Sequence, residues 1–200
     1  MQGREAETMR WPNTDKEPAV KTAILSEDMV AKRAAIHWSR GSTATVGARV
    51  WMWWLDWSRS DDSTVEAAAV CMHGYRWKVF RSHLGTGWME ANHEELWAIG
   101  LVLWESVKTR DTLQTNGVTK VAVISDSQAA TQRTEHLDLE PGQPLARWIR
   151  QSARTLRKAG IETEIHLVPG HTGIPGNEEA DHQANLTREG RRSGTLRARV

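Results

Sequence analysis

What most constrains this chain is the alternation of apolar helical stripes with short β-branched runs along its second half. Leu96, Ile99, Leu103 and Val107 recur at i, i+3, i+7 and i+11, which predicts an amphipathic helix over about 91–108. Val121–Ser125 reads as a buried strand, and helix-forming residues follow directly over Ser127–Glu135. Past Pro141-Gly142, Leu145, Trp148, Ile149, Ser152 and Leu156 make a second stripe that ends at Gly160. Residues 161–168 alternate like a strand, and Pro169-Gly170 turns the chain. Asn177 is placed to cap a last helix over about 178–187, with Glu178 and Glu179 suited to its dipole. Strand-like stretches at about 33–38, 46–55 and 75–84 precede all of this, separated by turn-rich polar residues. The order describes an α/β fold: a mixed sheet of about five strands flanked by helices, with early hairpins giving way to crossovers.

Residues 1–25 lack periodicity and carry Pro12 and Pro18, and Ser26 could cap a short helix over Glu27–Ala34. The expected organisation is an extension or linker over 1–32, one domain over 33–187 and a basic tail over 188–200, where Arg188, Arg191, Arg192, Arg197 and Arg199 gather. Lys and Arg total 26 against 25 acidic residues, so any nucleic-acid-binding surface must be local rather than global. Arg147, Arg150, Arg154 and Arg157 form such a line opposite the Trp148/Leu156 stripe. It reads either as a phosphate grip or as a solvated helix face. The single cysteine, Cys71, excludes an internal disulfide and fits a reducing compartment. The N-terminus lacks a signal peptide's apolar core, and the longest apolar run, Leu96–Trp104, is about half a membrane span. A soluble, monomeric protein without membrane association, in nucleus or cytoplasm, is expected. Eleven tryptophans stand against one Tyr and one Phe. Trp51, Trp53, Trp54 and Trp57 read either as a base-stacking platform or as drift from codons one base away from Trp.

Three acids stand where chemistry is possible. Asp126 ends the 121–125 strand, where side chains of α/β sheets meet ligands. Glu95 lies near the start of the preceding helix, close to its apolar stripe, and Asp181 follows the Gly170-His171-Thr172-Gly173 loop into the last helix. Taken singly, Glu95 is a solvated helix acid, Asp126 a helix cap and Asp181 a surface acid, and His171 is a turn residue. Taken together, carboxylates arriving from separate elements suit a hard divalent cation.

Two motifs give the set a family. Ser125-Asp126-Ser127-Gln128-Ala129-Ala130 and, almost residue for residue, Val168-Pro169-Gly170-His171-Thr172-Gly173-Ile174-Pro175-Gly176-Asn177-Glu178-Glu179-Ala180-Asp181 resemble type-1 ribonuclease H domains of fungal non-LTR retrotransposons, which accompany reverse transcriptases. Glu94-Glu95-Leu96 is similar to the family's glutamate-bearing segment, and Pro141-Gly142-Gln143 also matches. The resemblance spans about 33–187. It implies a ribonuclease H-like fold and an endonuclease hydrolysing the RNA strand of RNA–DNA hybrids with two Mg²⁺ ions, or Mn²⁺. Glu95, Asp126 and Asp181 would bind metal, and His171 would assist leaving-group protonation or product release. No reverse-transcriptase motif is present, so that partner activity is expected on another chain.

The family opens its first strand with Thr-Asp-Gly-Ser, its aspartate bridging both metals. Ile36-His37-Trp38-Ser39-Arg40 is the favoured match and puts His37 in the metal-ligand position; a rival register puts Arg40 there, ahead of Gly41-Ser42. Neither supplies a carboxylate, and a neutral imidazole offers no bridging anion. Asp56, Asp61 and Asp62 are expected beyond the second strand's end. Three outcomes follow: an impaired hybrid ribonuclease, a non-catalytic nucleic-acid-binding retrotransposon remnant, or a decaying fragment.

Overall fold

Alternation along one strand, β2 (Arg49–Arg59), organises both layers of the molecule. Trp53 and Leu55 enter one core, whereas Met52 and Trp54 enter another. Asp56 and Ser58 continue the second set by parity. The computed structural model describes residues 20–24, 49–59, 64–73, 76–86, 93–135, 143–170 and 173–192.

Two hairpins follow β2, formed with β3 (Thr64–His73) and β4 (Arg76–Thr86). The chain then enters α1 (His93–Lys108) and α2 (Arg110–Thr115) and returns through β5 (Val118–Ser125), which lies parallel to β2 with Trp54 opposite Ile124. Next come α3 (Gln128–Glu135), α4 (Gln143–Lys158), β6 (Glu162–Leu167) and α5 (Pro175–Arg192). Lys21–Ile24 forms β1, parallel to β6 at the sheet edge. The mixed sheet has the order β1-β6-β5-β2-β3-β4. Helical crossovers return the chain to parallel neighbours, as βα connections require.

Leu96, Ile99 and Leu103 of α1 and Ile149, Ala153 and Leu156 of α4 pack on one face with Trp53, Leu55, Val121, Val123 and Ile165. The ring of Trp148 covers Gly100, where any Cβ would collide with it. Ala180 of α5 and Ile174 just before it pack on the other face with Trp54, Val70, Ala122 and Ile124. Gly176 lies directly against Trp54, leaving no room for a side chain. Among the described residues, no helix is long and apolar enough to cross a membrane.

The α/β architecture expected from the sequence is present, and among the described residues the sheet has six strands. Two of these were not expected as strands, β1 and β3, and β1 comes from residues assigned to a linker. Thr64–His73, expected as polar turns, is a strand because it pairs on both edges, to β2 and to β4, with Ala67, Ala68 and Ala69 all buried. β2 runs four residues past its expected end at 55, so Asp56 lies within it. Pro175 opens α5, which puts Asn177 inside the helix and not at its cap. α5 also continues through Arg188, Arg191 and Arg192, residues expected in the tail. The expected helix at 27–34, the strand at 33–38 and Pro141-Gly142 lie outside the described residues.

Candidate active site

Glu95 lies in the first turn of α1 and is completely buried. The Ser125 hydroxyl at the end of β5 donates to Glu95 Oε1 at 2.5 Å, and the Ser127 N–H donates to Ser125 Oγ at 3.0 Å. Glu95 Oε2 is buried without a hydrogen-bond partner. Burial pushes the Glu95 carboxyl up to about 8; the Ser125 hydrogen bond opposes this, and the charges of Asp126, Asp56 and Glu94 add to it. The solvated-acid reading of Glu95 therefore fails, and the electrostatics single out a neighbour that sequence reasoning had set aside, Asp56.

Asp56 is 6% exposed, and its Oδ1 accepts the Trp57 N–H at 2.7 Å. Asp126, one residue beyond β5, is half-buried. It does not cap α3: Ser127 does, its Oγ accepting the Ala130 N–H at 3.2 Å. A Cβ on Gly170 would sit 2.5 Å from Asp126 Oδ2, so the turn after β6 rests against this carboxylate and a side chain there would have to displace it. Asp181 is half-buried on α5, where Asn185 Nδ2 donates to its Oδ1 at 2.9 Å. The other end of that amide accepts the Ser58 hydroxyl at 3.1 Å. Asp181 is thus tied to the strand that carries Asp56.

The structure brings Glu95 and Asp126 together with Asp56, and joins Asp181 to β2 through Asn185. His37 and His171 lie outside the described residues; His171 directly follows Gly170. Among the described residues, no three His, Cys, Asp or Glu side chains stand close enough to hold one ion as they are. The donor set nevertheless fits a hard divalent cation: all carboxylate, drawn from four elements, with one buried oxygen of Glu95 unmatched and its carboxyl pushed up chiefly by burial.

Compared with protein-family models, residues 49–189 match RNase H, well over half of the 200-residue chain. The chain belongs to the RNase H family. Among solved structures it is similar to RNase H1 from the halophilic archaeon Halobacterium salinarum NRC-1, at 19% identity and a TM-score of 0.47, covering 70% of this chain and 98% of that one. No curated protein matches it.

The RNase H match begins at β2 and takes in Asp56, Glu95, Asp126 and Asp181, whereas His37 precedes it. Leu55-Asp56-Trp57-Ser58 keeps the aspartate and serine of the family's Thr-Asp-Gly-Ser, with Trp57 in place of the glycine. That Asp-x-Ser spacing, at the end of an apolar run, was the available signal. The Trp57 ring packs partly buried against the α1/α4 core, the layer that also holds Trp53 and Leu55. Trp53 and Trp54 are core residues, 2% and 1% exposed, so neither is a base-stacking surface. Within this RNase H domain Arg150 is also partly structural: it is half-buried and its Nε donates to the Thr134 carbonyl at 3.1 Å, joining α4 to α3.

Proposed function

We propose that this domain is a ribonuclease H-type endonuclease that cleaves the RNA strand of RNA–DNA hybrids by a two-metal mechanism, with Asp56, Glu95, Asp126 and Asp181 as its carboxylates. The reading rests above all on one observation: Glu95 is completely buried with Oε2 unpartnered, and its other oxygen is held by Ser125, the residue just before Asp126. Asp56 here replaces His37 as the first metal-binding residue. When bound, Mg²⁺ or Mn²⁺ supplies the charge that activates water and stabilises the leaving oxygen.

The chain's own residues do the remainder. Glu95 would be one of the residues to hold the cation, and burial pushes its carboxyl up to about 8. Ser125 holds one Glu95 oxygen so that the carboxylate does not swing. The turn at Gly170 braces Asp126. His171, next along that turn, is assigned the assistance of leaving-group protonation or product release that the motif implies.

The expected impairment of turnover rested on a missing first carboxylate, and Asp56 removes that reason. What departs from the family is Trp57, whose ring packs against the core of the α1/α4 layer, so cleavage in Mg²⁺ is expected. The Val168–Asp181 motif supports a fungal non-LTR retrotransposon origin and, with it, a reverse transcriptase as partner on another chain.

The test is hydrolysis of a labelled hybrid by the unmutated chain, Asp56→Asn and His37→Ala. Asp56→Asn should lower kcat by at least roughly 10²–10³, with His37→Ala near the unmutated rate. The opposite ranking would return the role to His37. A folded unmutated chain that binds hybrid without cutting it would establish the non-catalytic remnant instead.

A further inference from the structure

We propose that Asn185 is a positioning residue that sets the orientation of Asp181 from an anchor on β2, Ser58. The inference rests on Asp181 being one of the cation-binding carboxylates, as proposed above.

Asn185 follows Asp181 by four residues on α5, which puts the two side chains on one helix face. The geometry then defines the amide's orientation. Its Nδ2 donates to Asp181 Oδ1 at 2.9 Å, and its Oδ1 accepts the Ser58 hydroxyl at 3.1 Å. Turned over, the amide would set its oxygen against a carboxylate oxygen, two acceptors with no proton between them. A carboxylate at this position would repel Asp181, and an apolar side chain would serve neither neighbour. An amide of this length meets both demands.

The anchor is well chosen. Ser58 is 7% exposed and lies two residues beyond Asp56, on the same side of β2. Its link to Asn185 spans 127 positions of sequence, so it references the helix carboxylate to the strand carboxylate directly. Without it, Asp181 would sample the ordinary rotamers of a half-buried helix acid. The chain is not what holds α5 down. Arg81 of β4 hydrogen-bonds Gln183, and Trp54 lies beneath Gly176. Orientation of Asp181 is therefore separable from docking of the helix.

Partners one shell out from metal ligands commonly change metal affinity by about 10–100-fold. Mn²⁺ titration of the full chain by calorimetry should show Asn185→Leu binding about tenfold more weakly, and Ser58→Ala weaker in the same direction. Because Ser58 acts through Asn185, the double variant should bind no more weakly than Asn185→Leu alone. The KM for hybrid should stay unchanged while kcat at sub-saturating Mn²⁺ falls, and melting temperatures in chelator should move little. Unaltered Mn²⁺ affinity in Asn185→Leu, or losses that add in the double variant, would overturn the proposal. Asp126→Asn is the control for the site itself. If it binds Mn²⁺ as well as the unmutated chain, or if the unmutated chain binds none, the site assignment falls and this inference with it.

Discussion

Replacing Glu95 by Gln should remove a large pH dependence of stability from the metal-free protein. The Glu95 carboxyl is raised from 4.5 to about 8 in the folded state, chiefly by burial. A group with a raised folded value contributes stability that is fully present below its unfolded value, here about 4.5, and is lost as pH rises through its folded value near 8. At about 1.4 kcal/mol per tenfold in proton affinity, the interval is worth roughly 5 kcal/mol. For a domain of this size about 1 kcal/mol moves the melting temperature by 2–4 °C, and about 4 kcal/mol of the interval falls between pH 5 and pH 9, so the unmutated chain in chelator should melt roughly 8–16 °C lower at pH 9 than at pH 5. Gln still accepts the Ser125 hydroxyl but cannot ionise, so its melting temperature should be nearly flat over that range. His166 works in the other direction and at lower pH: burial depresses it, although Glu164 partly opposes the shift. The difference between the two proteins therefore isolates Glu95. Adding Mn²⁺ at pH 9 should restore the unmutated chain and leave Glu95→Gln much less affected. Parallel melting curves for the two across pH 5 to 9 would refute the buried, proton-retaining environment assigned to Glu95.

Gly170→Ala should lower Mn²⁺ affinity and hybrid cleavage together, because the new Cβ must push Asp126 from its place 2.5 Å away; cleavage at the unmutated rate would mean that the turn moves instead. Trp54→Ala should cost about 3–5 kcal/mol in denaturant unfolding, since the ring is 1% exposed and lies under Gly176, and a smaller loss would show that α5 collapses into the space. Arg150→Ala should cost about 1–2 kcal/mol of stability through its lost bond to the Thr134 carbonyl. Arg154→Ala should leave stability unchanged and flatten the salt dependence of hybrid binding by about one counterion; an unchanged salt slope would make its helix face merely solvated.

The fold's second half was legible because its helices and strands carry their own periodicities. α1 and α4 each present an apolar stripe to the sheet, and Ile149, Leu156, Leu96 and Leu103 are all fully buried. The first half was less so. Thr64–His73 has three consecutive alanines, a residue depleted in strands, and it is held as one by pairing on both edges, to β2 and to β4. That requirement is tertiary and leaves no local mark. Lys21–Ile24 is a strand for the same reason, paired to β6 inside a stretch too short and polar to announce itself.

Of the proposed site, Glu95, Asp126 and Asp181 could be read from motifs, and Asp56 left only an Asp-x-Ser spacing, because Trp57 stands where the motif has its glycine. Strand parity resolves what the motif obscured. Successive side chains of β2 point to opposite layers, so the substitution that hides the motif sends its ring toward α1 and α4, while the carboxylate one residue earlier falls on the side where Ser58 reaches Asn185. A bulky residue at 57 thus changes the packing of one layer and leaves the acid in the other. In the proposed site a bulky residue at 57 and a carboxylate at 56 are therefore compatible.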